Sequence, residues 1–353
     1  MHFYTIAPIG DTLRVEIEKH LNSLTKPAGS LGMLEGIALR LGLIQQTIKP
    51  IINKKRVYVF ASDHGITQEN VSAYPKEVTR EMVYNFLSGG AAINVFGRLA
   101  GAEVVVVDAG VDHDFRKDNP PDMSIFVIKK AGSGTRNFAK EPAMTEEQAI
   151  KSIEYGYELA EMAAHENVDV LVLGDMGIGN TTVAAAICIA AGFHPDDIID
   201  IGTVIDEETL QRKRKVILDG IKLHKPDTGN AIDILQKVGG LCIAEMTGVI
   251  LRAAALRIPV VLDGFPVTSA AILANIINPN VKGFLFAGHL SAVRGHGVLL
   301  RALNLAPILK LDMRLGEGTG GVLALHILEA AANMMQQMAT FESAGVSKGN
   351  EVI

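Results

Sequence analysis

Five short apolar runs in this chain end in the same way. Arg56-Val57-Tyr58-Val59-Phe60-Ala61 leads into Ser62-Asp63-His64-Gly65, and Glu103-Val104-Val105-Val106-Val107 leads into Asp108-Ala109-Gly110. Val170-Leu171-Val172-Leu173 leads into Gly174-Asp175, Ile258-Pro259-Val260-Val261-Leu262 into Asp263-Gly264-Phe265, and Gly283-Phe284-Leu285-Phe286-Ala287 into Gly288-His289-Leu290-Ser291. Continuous apolar runs of this kind suit strands buried on both faces. Met123 to Ile128 is a further candidate strand. Helical patterns separate the runs: residues 76–99 interrupted at Ser88-Gly89-Gly90, Thr145 to His165, 207–224, 239–257 and 268–277. Thr145 reads as an N-cap with Glu147 as first-turn support. Alternation of strands and helices predicts an α/β fold, a parallel sheet covered on both faces. Ligands of open parallel sheets bind beyond the carboxyl ends of the strands. The acids and the histidine at those ends therefore predict a site along that edge.

The two ends of the chain break the alternation. Residues 11–22 and 31–46 read as helices, and a last long helix runs from about Gly321 to Met338. They are expected to pair as a small helical domain of residues 1–50 with 322–353, beside a large α/β domain of residues 51–321. A chain of 353 residues with 48% hydrophobic and 20% charged residues is globular. Its net charge of −6 argues against a broad nucleic-acid surface. No apolar run approaches the roughly 18 residues of a membrane span. Met1-His2-Phe3-Tyr4-Thr5-Ile6 lacks the features of a secretion signal, so a cytoplasmic chain is expected. Cys188 and Cys242 lie in apolar helical stretches and read as reduced core residues.

The run at Val170 continues into Gly174-Asp175-Met176-Gly177-Ile178-Gly179-Asn180-Thr181-Thr182, with a helix expected from Val183. A strand, a glycine turn and a helix start together favour an anion, because free N–H groups and the helix dipole meet there. An ordinary βα turn is the plain alternative. The spacing matches neither a triphosphate P-loop nor Gly-x-Gly-x-x-Gly, which leaves a single phosphate monoester as the better fit. Arg212, Lys213, Arg214 and Lys215 follow a second glycine and hydroxyl turn at 202–206, and one of these cations can serve the phosphate as a point charge.

Met313-Arg314-Leu315-Gly316-Glu317-Gly318-Thr319-Gly320-Gly321 is a further glycine turn before a helix. Glu317 there either steadies the helix start or acts as a general base. A helix N-terminus would lower its pKa and an apolar pocket would raise it, and both outcomes stay open. His64, His289 and His296 lack ligand spacing; they read as satisfied loop histidines, with no metal site among them. Met334, Met335 and Met338 read as core or oligomer packing.

These motifs in their order resemble one family, the nicotinate-nucleotide–dimethylbenzimidazole phosphoribosyltransferases. The resemblance is carried by Leu24-Thr25-Lys26-Pro27-Ala28-Gly29-Ser30-Leu31-Gly32, Ser62-Asp63-His64-Gly65, Gly134-Thr135-Arg136-Asn137-Phe138, Gly174 to Thr182, Asp263-Gly264-Phe265 and Leu315 to Gly321. It implies a Rossmann-like parallel sheet with helices on both faces and a small helical domain from both chain ends. It implies transfer of a 5-phosphoribosyl group from nicotinate mononucleotide to an aromatic lower-ligand base, for cobamide nucleotide-loop assembly, with no cofactor. By the same resemblance Glu317 is the catalytic base. Gly177, Gly179, Asn180, Thr181, Lys213 and Ser291 surround the ribose phosphate, and Tyr74, Met82, Met176 and Leu315 line the base pocket. Asp175, Asp263 and Gly264 stand as possible supports.

Three positions depart from the family pattern: Asp175 where many relatives have Glu, Met82 where some place Gln, and Val293-Arg294 where an acid often follows Ser291-Ala292. The apolar Met82 widens the expected acceptors from dimethylbenzimidazole to benzimidazole, adenine and phenolics. The resemblance implies a homodimer, or a heterodimer with a paralogous subunit. Asp175 and Arg294 motivate a second reading, a non-catalytic partner of an active paralogue. A generic nucleotide-binding module is the third.

Overall fold

The computed structural model describes residues 4–117, 123–199 and 206–347. Seven parallel strands form one sheet: β1 (Lys55–Ser62), β2 (Ala102–Gly110), β3 (Phe126–Ile128), β4 (Val170–Met176), β5 (Val260–Leu262), β6 (Leu285–His289) and β7 (Pro307–Leu309). Their order is β3-β2-β1-β4-β5-β6-β7, so the chain reverses its direction of growth between β1 and β4. All eight residues of β1 are buried, which is why it shows no polar alternation.

The helices are α1 (Arg14–Ser23), α2 (Met33–Gln45), α3 (Val78–Leu87), α4 (Ala92–Ala100), α5 (Glu146–His165), α6 (Asn180–Ala190) and α7 (Pro195–Ile198). There follow α8 (Glu207–His224), α9 (Ala231–Val238), α10 (Leu241–Ala255), α11 (Phe265–Ile277), α12 (Arg294–Ala302), α13 (Thr319–Gln337) and α14 (Phe341–Ala344). Helices α4 and α13 pack on one face of the sheet, α10 and α11 on the other, with α5 along α10. At its far end α13 meets the N-terminal helices: His20 Nε2 bonds the Met335 carbonyl at 2.8 Å, and Thr25 N–H donates to the Ala339 carbonyl at 3.0 Å.

Several expectations need correction. The strand at Val170 does not stop at Leu173 but runs through Met176, with Gly174 paired to Val59 of β1. The following helix starts at Asn180 instead of Val183. The helix expected over 239–257 begins only at Leu241, because Gly239 and Gly240 are extended and separate it from α9. Thr145 caps α5 and Glu147 lies in its first turn, as expected; the capping box is completed by Gln148, which was not foreseen. Strand β7 and helices α7, α9 and α12 carried too short a pattern to be read. The turn at 202–206 lies outside the described residues except for Asp206, whose carboxylate caps α8 through Thr209 N–H at 2.8 Å.

Candidate active site

The end of β4 forms a compact turn. Gly177 passes so close to β1 that a Cβ there would sit 2.3 Å from the Ser62 carbonyl oxygen. Gly179 takes the left-handed conformation, φ 90°, that starts α6. Asn180 N–H donates to the Gly177 carbonyl at 3.0 Å, and Thr181 N–H to the Asn180 side chain at 2.7 Å. From α8, the buried Lys213 ammonium reaches Thr181 Oγ1 at 3.1 Å. Of the four cations in that basic run, Lys213 is the one at this turn; Arg212, Arg214 and Lys215 pair with Glu208, Asp196 and Asp219.

Glu317 lies in a run of three left-handed residues, with φ of 91° at Gly316, 63° at Glu317 and 92° at Gly318. A non-glycine residue held this way costs roughly 1–2 kcal/mol. Its backbone N–H donates to the Asp175 carbonyl at 3.3 Å, and its carboxylate accepts the N–H of Ile93 at the start of α4, also at 3.3 Å. The carboxylate therefore caps a helix remote in sequence, while its own helix is capped by Asp263. Asp263 accepts N–H groups from Gly318, Gly320 and Gly321 at 3.1, 2.8 and 3.2 Å. Burial raises the pKa of Glu317; the Ile93 N–H opposes this and the charge of Asp263 adds to it. The apolar surroundings thus outweigh the helix terminus.

Asp175, just before the turn, is almost fully buried and accepts the Asn180 amide at 2.7 Å. Burial pushes its carboxyl up to about 6 against the bonds from Asn180 and Cys242, with the Asp263 charge adding to the rise. His64 and His289 are not satisfied as expected: each has a buried Nδ1 without a partner among the described residues. His289 Nε2 stands 3.4 Å from Asp263, and His64 is packed beneath Gly177. His296 is satisfied at both ring nitrogens.

A cavity of about 330 Å³ opens at these turns. It brings together Gly177, Gly179, Asn180, Thr181, Lys213, Glu317 and Asp175 with Tyr74, Met82, Met176 and Leu315. Tyr74 and Leu315 are more than half exposed and stand at its mouth. A smaller hollow of about 60 Å³ shares Asp175, Asn180, Thr181 and Leu315 and adds Ser291, Asp263 and Gly264. The residues singled out in the sequence thus divide between two adjoining spaces, with Lys213 in one and Ser291 in the other. Val71, Ser72 and Val78 also line the larger space and Arg314 lines both, none of them foreseen. Arg314 lay within the glycine-rich turn read from the sequence, but nothing local distinguished it from a surface arginine.

A doubly wound parallel sheet with its cavity beside the strand-order reversal defines the class, a Rossmann-like α/β enzyme. Within that class the chain belongs to the phosphoribosyltransferase family whose model matches residues 6–346. It is similar to the nicotinate-nucleotide–dimethylbenzimidazole phosphoribosyltransferase of Geobacter sulfurreducens, 49% identical over 98% of this chain and 97% of that one. The enzyme of the same name from Chloroflexus aurantiacus is 45% identical, over 97% of each chain. The crystal structure of nicotinate-nucleotide–dimethylbenzimidazole phosphoribosyltransferase from Thermus thermophilus superposes with a TM-score of 0.89 at 44% identity, over 96% of this chain and 99% of that one.

Proposed function

We propose that this chain transfers the 5-phosphoribosyl group of nicotinate mononucleotide to a nitrogen of 5,6-dimethylbenzimidazole or a related aromatic base, serving cobamide nucleotide-loop assembly. The observation that carries the reading is the buried Glu317 carboxylate in the same cavity as the Gly177–Thr181 turn and Lys213. The turn and Lys213 hold the donor's phosphate, with Ser291 reaching the ribose phosphate from the adjoining hollow. Tyr74, Met82, Met176 and Leu315 take the flat acceptor ring.

One nitrogen of the acceptor attacks C1′ from the face opposite nicotinate. The bond from C1′ to the pyridinium nitrogen breaks, and its electron pair neutralises that ring, so departure needs no general acid. The proton on the acceptor's other nitrogen passes to Glu317, whose raised pKa makes it the stronger base. The β-ribotide gives the α-ribotide by inversion, with nicotinate released. A phenolic acceptor would surrender its O–H proton to the same carboxylate.

The named relatives, all enzymes, favour this reading over a non-catalytic partner subunit. No helix among the described residues is long and apolar enough to cross a membrane. A homodimer in the cytoplasm, with chain ends 1–50 and 322–353 as a small helical unit beside 51–321, completes the proposal. The test is a panel of bases offered with nicotinate mononucleotide to the purified chain, with products identified by mass. Base-dependent nicotinate release is expected; none with any base would overturn it.

A further inference from the structure

His296 sits in the first turn of α12, fully buried, and uses both ring nitrogens. The backbone N–H of Ser291 meets Nδ1 at 2.9 Å. A backbone N–H only donates, so Nδ1 carries no proton, and in a neutral imidazole Nε2 then must. Nε2 lies 3.0 Å from Thr268 Oγ1, and that hydroxyl donates to the Gly264 carbonyl at 2.9 Å. The chain of bonds has one direction throughout: Ser291 N–H to His296, His296 to Thr268, Thr268 to Gly264. It ties the loop after β6 to the first turn of α11. Both ends, Ser291 and Gly264, line the smaller hollow beside Asn180 and Thr181.

We propose that His296 is a positioning residue for donor binding, its fixed tautomer holding Ser291 and Gly264 at the separation the phosphoribosyl group requires. Burial, with a smaller contribution from the neighbouring His289 ring, brings its pKa down to about 3 and keeps the ring neutral. Protonation would place an N–H against the Ser291 N–H and break the chain of bonds. This inference rests on the reading of Ser291 as a donor contact.

Thr268→Val keeps the shape of the side chain and removes the hydroxyl that receives Nε2–H. That breaks two bonds, from His296 and to Gly264, and the loosened hollow is expected to raise KM for nicotinate mononucleotide by about three- to tenfold, the order of one net hydrogen bond. The acceptor KM and kcat should stay within about twofold, and Thr268→Ser should restore the donor KM. His296→Asn, which can accept from Ser291 but is too short to span to Thr268, should raise the donor KM in the same way. A wild-type donor KM in Thr268→Val, an equal rise in Thr268→Ser, or parallel rises for both substrates would overturn the assignment. Calorimetric Kd values for nicotinate mononucleotide separate the two claims. A wild-type chain that binds the donor but turns over no base overturns the proposed function alone. Unchanged donor Kd in both Thr268→Val and His296→Asn overturns the positioning role alone.

Discussion

The backbone of Glu317 lies against the bare Cα of Gly174. A Cβ built on Gly174 would fall 2.4 Å from both the carbonyl carbon and the oxygen of Glu317, and 2.4 Å from the nitrogen of Gly318. The strand is paired on both edges and does not yield, so the strain falls on the Glu317 turn despite its bonds to Asp263. Gly174→Ala should therefore displace the carboxylate turn bodily. Overpacking of this kind costs about 1–3 kcal/mol, and a shift near 1 Å at the reacting group lowers turnover by about 10²-fold. Denaturant unfolding together with steady-state kinetics checks both parts; full activity in the variant would contradict the arrangement.

Replacing Glu317 with Gln keeps the size of the side chain and its acceptor toward Ile93 while removing the proposed base. Turnover should fall by about 10²–10⁴-fold, with calorimetric affinity for nicotinate mononucleotide nearly unchanged. In the native chain kcat/KM should rise with pH through a pKa above the usual glutamate value, since burial raises it in the free chain. That ascending limb should vanish in Glu317→Gln.

Both glycine turns were legible in the sequence, but the contact between them was not. Gly174 looked like the first residue of a turn because Gly-Asp following four apolar residues is ordinary turn chemistry. Pairing with Val59 of β1, more than a hundred residues earlier, keeps it in the strand. Whether helix or burial governed Glu317 was likewise undecidable from its neighbours: the N–H it accepts comes from Ile93, and the helix it precedes is served by Asp263. Strand positions with their terminal acids were readable because burial on both faces leaves an unbroken apolar run. Strand β7, Pro307–Leu309, starts at a proline and is only half-buried, so it lacks the buried apolar run by which the equally short β5 was readable.

Lys213 is expected to act through binding. Lys213→Ala removes a buried cation from beside Thr181. Loss of a hydrogen bond to a charged group is worth about 1.5–3 kcal/mol, so KM for the donor should rise by about 10–100-fold. A phosphate contact held equally in ground and transition states leaves kcat within a few-fold. A fall in kcat with unchanged KM would place Lys213 in the chemical step instead.

Asp175 makes stability depend on pH with a definite sign. Its carboxyl holds a proton up to about pH 6 in the folded chain, whereas an unfolded aspartate loses it near 4. Between those values the folded state binds more protons, so stability falls as pH rises and levels off above about 6. A rise of about two units corresponds to a loss on the order of 3 kcal/mol. Asp175→Asn, which retains an acceptor for Asn180, should lack this decline. Urea unfolding of both proteins at a series of pH values from 4 to 8 measures it; parallel curves would rule it out.

The two turns differ in how far the chain must travel to make them. Most bonds that close the Gly177–Thr181 turn run among residues 177 to 183, with Ile178 N–H reaching back to Thr79 Oγ1 at 3.1 Å. The place of Glu317 depends on Ile93, Asp175 and Asp263, contributed by three distant stretches. Closing loops of that length is what delays long-range contacts during folding. The mostly local turn is therefore expected to form before the Glu317 carboxylate is placed. The proposed chemistry then needs a chain whose strands β4 and β5 and helix α4 have already found one another.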